Sequence, residues 1–271
     1  MREENEYVLG TDDHELRRLG FQHQIWAREA AAAWERGGFG PGSHVLDIGC
    51  GPGYATLDLA RLVGQEGRVV GLDVSPRFVA HLQARAAALG LANVSVEVQD
   101  VEALALSPES FDGAYARWVL TFVRSPEAVV AGAAKALKGG GRLVVHDYSL
   151  YTGLQLAPED PAVHRVVEAV VRSWRDRGGD PSVGARIPRM MLDAGLEVVS
   201  ITPLARIARP GSALWQWPRT FFDNYLPQLV ASGYLAEEGR LAFDAVWAER
   251  AADPAAWFAT PPMVEVVGVR R

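Results

Sequence analysis

Val45-Leu46-Asp47-Ile48-Gly49-Cys50-Gly51-Pro52-Gly53 joins an apolar, strand-like run to a turn with glycine at every second position, and residues 54–62 continue at helical spacing. A strand that turns sharply and lets a ligand approach its backbone needs residues without Cβ. The helix start beyond it offers unpaired N–H groups to a polar or anionic group. Twenty residues past Gly53, Asp73 ends a second apolar run, where a carboxylate accepts both hydroxyls of a ribose. The competing reading makes Asp73 a cap or N-terminal charge for the helix after Ser75-Pro76. Asp100 stands in the same way after a third run, followed by Val101. His146 ends a fifth; it is either a base for an acceptor hydroxyl or amine, since imidazole titrates near neutrality, or a satisfied structural histidine. Asp147 points to the opposite strand face, so the two do not form a dyad.

Spacing excludes several chemistries. A dinucleotide fingerprint needs G-x-G-x-x-G, but the sixth position is Tyr54 counted from Gly49 and Thr56 counted from Gly51. The six histidines show no H-E-x-x-H pattern and no helical pairing, so no metal site is expected. No G-x-S-x-G elbow supplies a serine nucleophile. Cys50 is the single cysteine of the 271 residues; it forms no intramolecular disulfide and is read as packing beside the ligand.

The elements that must position these residues alternate. Strands are expected at 45–48, 68–74, 94–99, 113–117 and 142–146, and helices at 13–36, 54–62, 77–89 and 127–137. Nearly continuous apolar strands between helices predict a parallel sheet covered on both faces, with the ligand at the carboxyl ends of the strands where the strand order reverses. Further on, 158–177 and 183–192 read as helices, 196–204 as a sixth strand and 263–269 as a seventh. Residues 207–259 carry Trp215, Trp217, Phe221, Phe222, Tyr225 and Tyr234 in mostly helical periodicity.

The run Asp-x-Gly-x-Gly-x-Gly at Asp47–Gly53 resembles motif I of class I S-adenosylmethionine-dependent methyltransferases. Phe111-Asp112-Gly113-Ala114-Tyr115-Ala116-Arg117 resembles the fourth strand of that family, and Lys138-Gly139-Gly140-Gly141-Arg142-Leu143-Val144-Val145 its approach to the fifth. The resemblance covers 44–148 closely and 195–204 with 263–269 loosely. It implies a Rossmann-like α/β fold with a seven-stranded, mostly parallel sheet, and S-adenosyl-L-methionine as cofactor. The cofactor-binding set would be Asp47, Gly49, Cys50, Gly51, Gly53, Asp73, Val74, Asp100, Val101 and Arg117. Asp100 would accept from the adenine amine, unless it merely caps a short helix. Arg117 and Trp118 would lie near the sulfonium and the acceptor. The opening Tyr7-Val8-Leu9-Gly10-Thr11 resembles bacterial small-molecule enzymes of the family; by that analogy Tyr7 reaches the methionine carboxylate, with help from Arg18, or is a packing residue.

The expected organisation is an N-terminal helical lid (1–40), a cofactor-binding core (41–206 with 260–271), and a helical, aromatic cap on the acceptor side (207–259). A net charge of −6 and the absence of a Lys/Arg stripe argue against nucleic acid and anionic membranes as partners. The acidic start is no secretory signal and no run reaches the ~18 apolar residues of a span, so a cytoplasmic location is expected. The leading expectation is methyl transfer to a small-molecule acceptor, with the attacked atom and the oligomeric state left open. The alternatives are a non-catalytic protein that holds the cofactor, and a nicotinamide oxidoreductase.

Overall fold

A computed structural model of the protein describes residues 10–271. Helix α1 (Asp13–Arg36) starts where the Asp12 carboxylate accepts the Glu15 N–H, and stops at Gly37. The chain then alternates through β1 (His44–Ile48), α2 (Tyr54–Val63), β2 (Arg68–Asp73), α3 (Pro76–Ala88), β3 (Val94–Val98), β4 (Phe111–Arg117), α4 (Pro126–Ala136) and β5 (Leu137–Tyr148). Next come β6 (Gln155–Ala157), α5 (Pro161–Asp176), α6 (Ile187–Asp193), β7 (Leu196–Leu204) and β8 (Ile207–Ala208). Last are α7 (Ala213–Ala231), α8 (Glu237–Ala252), β9 (Trp257–Ala259) and β10 (Met263–Arg270).

The main sheet has seven strands in the order β3-β2-β1-β4-β5-β10-β7. β1 to β5 pair in parallel, and β10 runs antiparallel to both neighbours. This is the expected mostly parallel, Rossmann-like sheet. The chain winds outward from β1 to β3 and returns to β4 on the other side of β1, so the strand order reverses at the β1/β4 boundary. The glycine turn leaves β1 at that boundary, where an open α/β sheet forms its crevice.

Several elements differ from the sequence expectation for local reasons. β5 begins at Leu137, immediately after α4, because Phe111 pairs with Leu137 across an irregularity before the regular register resumes at Gly113–Arg142. The expected helix at 183–192 is a single 3₁₀ turn at Val183–Ala185 followed by α6, whose first turn holds Pro188, a residue suited to a helix start and not to its interior. β6, β9 and β8 form a second, three-stranded antiparallel sheet that the sequence did not announce. Strands of two or three residues are too short to show a period.

α1 and α7 lie against each other, as do α5 and α8. The aromatics of 207–259 are mostly core: Trp215, Trp217, Phe222 and Tyr225 are buried in one cluster with Trp26, Tyr148, Tyr151 and Trp174. No helix of the described residues is long and apolar enough to cross a membrane.

Candidate active site

The glycine turn divides its work. Gly49 and Gly53 have φ of +62° and +84°, a region that disfavours residues with Cβ. A Cβ on Gly49 would sit 2.5 Å from Val119, and one on Gly53 2.2 Å from Leu82. Gly51 has open space on that side, and its N–H donates to Asp73 Oδ2 at 2.8 Å. Asp73 Oδ1 accepts from the Ser75 N–H at 2.9 Å, while α3 itself is capped by the Ser75 hydroxyl. Asp73 therefore holds the turn to the end of β2, and each of its oxygens keeps further lone-pair capacity. Burial raises its pKa, opposed by the N–H bonds from Ser75 and Gly51.

These residues wall a cleft that also includes Leu19, Gln22 and His23 of α1, Asp47, Tyr54, Phe78, Tyr115, Arg117 and Trp118. Asp47 is fully enclosed; desolvation pushes its carboxyl up to about 6 even though Thr56 Oγ1 donates to it at 2.6 Å. Arg117 supplies the opposite charge. Its Nη2 donates to His23 Nδ1 at 2.9 Å, and His23 Nε2 reaches Asp58 at 2.9 Å. A guanidinium has only donors, so His23 presents its Nδ1 lone pair to Arg117 and its Nε2–H to Asp58. Arg117 Nη1 is buried without a hydrogen-bond partner among the described residues. Its guanidinium carbon lies 4.9 Å from the Trp118 ring centre, and Trp118 holds a φ of +55°, a strained conformation for a bulky residue.

Asp47, Gly49, Cys50, Gly51, Asp73 and Arg117 thus meet on one cleft, as the sequence suggested. Gly53 opens α2 beneath it. Val74, Asp100 and Val101 lie beyond the cleft wall, past the ends of β2 and β3. Val74 is exposed, Val101 is buried, and Asp100 caps the Val101–Ala103 turn through the Glu102 N–H at 2.9 Å. Burial beside Asp47 and Asp73 raises the Cys50 thiol well above its usual range, which fits a packing role. Tyr7 lies outside the described residues. Arg18 is engaged with Glu15 through Nε and Nη2, and Glu15 also accepts from Asn224 of α7 at 2.9 Å.

His146 does not wall the cleft, and its contacts match the structural of the two readings open for it. Its Nε2 lies 2.9 Å from Glu265 of β10 and its Nδ1 3.4 Å from the Tyr115 hydroxyl. Glu265 pairs in turn with Arg36 of α1. Burial would raise the Glu265 carboxyl, but Arg36 and His146 bring it down to about 2. Burial lowers the His146 pKa against the pull of Glu265. The imidazole is therefore a neutral link in a buried chain that ties α1 to three strands. Asp147 faces the other way, as expected, and accepts from Thr121.

Sequence reasoning missed Gln22 and His23. His23 falls in the stripe Leu16, Leu19, His23, Trp26, Ala30 along α1, so a polar residue on the apolar helix face was the available signal. A second, narrow pocket of about 20 Å³, room for little more than one water molecule, opens between α1 and α7. Tyr148, Tyr151, Trp217, Phe221 and Phe222 line it together with Gln22, which also lines the cleft. Trp217 stacks on Trp118 of the cleft wall, 6.3 Å between ring centres.

A seven-stranded sheet with an acidic-glycine turn at its switch point and a carboxylate at the end of the next strand has the form of a class I, Rossmann-like methyltransferase. A family model described as "Methyltransferase domain" matches residues 40–177, just over half of the chain. The chain belongs to this family of S-adenosylmethionine-dependent methyltransferases.

An uncharacterised 37.1 kDa protein of transposon TN4556 from Streptomyces fradiae is 34% identical over 202 residues, 72% of this chain and 57% of that protein. The chain therefore spans little more than half of that relative's length. The O-methyltransferase cnsE of Penicillium expansum is 27% identical over 213 residues, 77% of this chain and 72% of the fungal protein. Among solved structures, the geranyl diphosphate C-methyltransferase of Streptomyces coelicolor A3(2), crystallised with S-adenosyl-L-homocysteine, superposes with a TM-score of 0.61. It covers 97% of this chain and 84% of its own at 17% identity, a likeness of fold.

Proposed function

We propose that this protein transfers a methyl group from S-adenosyl-L-methionine to a small organic acceptor with an apolar body. The observation that carries the reading is the junction of two cavities. The charged, glycine-walled cleft meets a narrow pocket of aromatic side chains at Gln22 and at the Trp118–Trp217 stack.

The cleft residues fit the cofactor group by group. Asp47 and the unpartnered Nη1 of Arg117 set opposite charges on the wall, which suits the ammonium and carboxylate of an amino acid. Asp73 retains lone pairs for two ribose hydroxyls after holding Gly51 and Ser75. Gly51 leaves room for close approach to the backbone. Asp100 and Val101 take the adenine end, farther along the strand tips, and Tyr7 the methionine end.

When bound, the cofactor supplies a methyl group already activated as an electrophile. What remains for the protein is alignment, which is worth ~7–11 kcal/mol in favourable cases. His23 and Asp58 fix Arg117, the Trp118–Trp217 wall orients the acceptor ring, and the N-terminal segment with the 207–259 cap excludes water. An acidic chain with one cysteine and no cationic stripe suits a cytoplasmic enzyme acting on small molecules.

The test is calorimetric titration with S-adenosyl-L-homocysteine, with NADH as control, followed by a screen of phenols, amines and quinones for transfer. Micromolar binding of the first ligand alone supports the reading. Silence toward S-adenosyl-L-homocysteine refutes it.

A further inference from the structure

Gln22 lines both the cofactor cleft and the aromatic pocket. Its side-chain oxygen accepts two hydrogen bonds, from Arg18 Nη1 at 3.1 Å and from Trp217 Nε1 at 3.0 Å. Guanidinium and indole nitrogens are donors only. The atom facing them must therefore be the amide oxygen. The amide nitrogen, carrying two N–H donors, has no hydrogen-bond partner among the described residues. Two fixed donors hold the group by one end and leave its other end available where the cavities join.

We propose that Gln22 is the specificity residue that donates an N–H to the oxygen of the acceptor, and that the acceptor is a planar ring bearing a hydroxyl. This rests on reading the two cavities as cofactor cleft and acceptor pocket, the second widening from room for about one water to admit the ring. The aromatic walls grip the ring; Gln22 selects an atom with a lone pair to offer. A donor here favours oxygen, whose anion keeps lone pairs for the hydrogen bond and for attack, over an amine, whose one lone pair is consumed by either. The hydroxyl proton leaves to water, and the oxygen then forms its bond to the methyl carbon as the carbon–sulfur bond breaks with its electron pair on sulfur. The anionic oxygen becomes a neutral ether and the sulfonium a neutral thioether, so charge and atoms balance.

The experiment isolates the donor. Gln22→Glu keeps an oxygen toward Arg18 and Trp217 and removes both N–H groups. The probes are 2-acetylnaphthalene, whose carbonyl only accepts, and 2-isopropenylnaphthalene, the same shape with carbon in place of oxygen. Each is titrated by tryptophan fluorescence into protein saturated with S-adenosyl-L-homocysteine. Q22E is expected to raise the ketone Kd at least fivefold and to leave the hydrocarbon Kd within twofold. Gln22→Met, which is closer in bulk and carries no charge, should move the ketone in the same direction. Equal changes for both probes, no change for either, or no binding of either to the saturated wild-type protein overturns the proposal. Failure of S-adenosyl-L-homocysteine itself to bind strikes instead at the reading of the cleft, and calorimetry on the wild type distinguishes the two.

Discussion

Asp47 is held in the folded protein at a cost that its removal should expose. Desolvation moves its carboxyl from 3.8 to about 6. That difference corresponds to about 3 kcal/mol. The sign follows from proton linkage. Between pH 3.8 and 6 the folded state binds more protons than the unfolded chain, so stability falls as pH rises through this window, and above it the full penalty is present. At pH 5 about half of the penalty remains. Asp47→Asn keeps an acceptor for Thr56 and removes the charge. It should therefore raise the melting temperature of the ligand-free protein at pH 7 by roughly 6–12 °C, at ~2–4 °C per kcal/mol for a chain of this size, and by less at pH 5. Asp147, also pushed up to about 6, contributes a similar slope, so the difference between variant and wild type is the quantity to read. The same substitution removes the proposed partner of the cofactor ammonium and should weaken S-adenosyl-L-homocysteine about 10- to 150-fold, for a loss of ~1.5–3 kcal/mol. Wild-type affinity should likewise fall as pH drops below about 6. A variant that melts at or below the wild-type temperature at pH 7, or binds the ligand as tightly, refutes the reasoning.

Asp73→Asn should cost about 10- to 150-fold in S-adenosyl-L-homocysteine affinity at unchanged secondary structure, since it weakens both the ribose contact and the hold on Gly51; an unchanged Kd by calorimetry removes the ribose assignment. Arg117→Met should weaken S-adenosyl-L-homocysteine at least tenfold and leave 5′-methylthioadenosine, which lacks the amino-acid end, within twofold. Equal losses for the two ligands would mean that Arg117 only shapes the cleft. His146→Phe should lower stability by about 1–3 kcal/mol in urea denaturation, because Glu265 loses a buried partner, while cofactor affinity stays within a few-fold. A large loss of affinity without loss of stability would return His146 to the site.

What was legible in the sequence was local. Asp47 and the three glycines lie within seven residues, and their geometry is set by one strand, one turn and one helix. Asp73 could be placed because a strand of known direction ends there. Gln22 and His23 were not legible: their role depends on which side of α1 meets the strand tips and on α7, and Trp217 is 195 residues from Gln22. His146 was placed on the correct strand and away from Asp147. Its partner Glu265 comes from β10, 119 residues further on, and no local pattern shows that this strand inserts beside β5. The second sheet escaped because its strands, two or three residues long, do not repeat the two-residue period enough to reveal it.

The position of β10 also sets an order of assembly. β1 to β5 are joined by short crossovers, so the glycine turn after Asp47 and the Asp73 carboxylate that holds it meet through contacts between near neighbours in the chain. β5 and β7 cannot share a sheet until residues 263–270 slide between them, a closure spanning more than a hundred residues from β5. Long closures come late because their chain entropy must be overcome first. Until that strand arrives, β5 presents an open edge of the kind that pairs with foreign chains, and the carboxylate that ties Arg36 and His146 together is missing. The half of the molecule that carries the glycine turn and Asp73 therefore has its native frame before the half that completes the aromatic pocket. During synthesis a nucleoside ligand has something to stabilise earlier than an acceptor does.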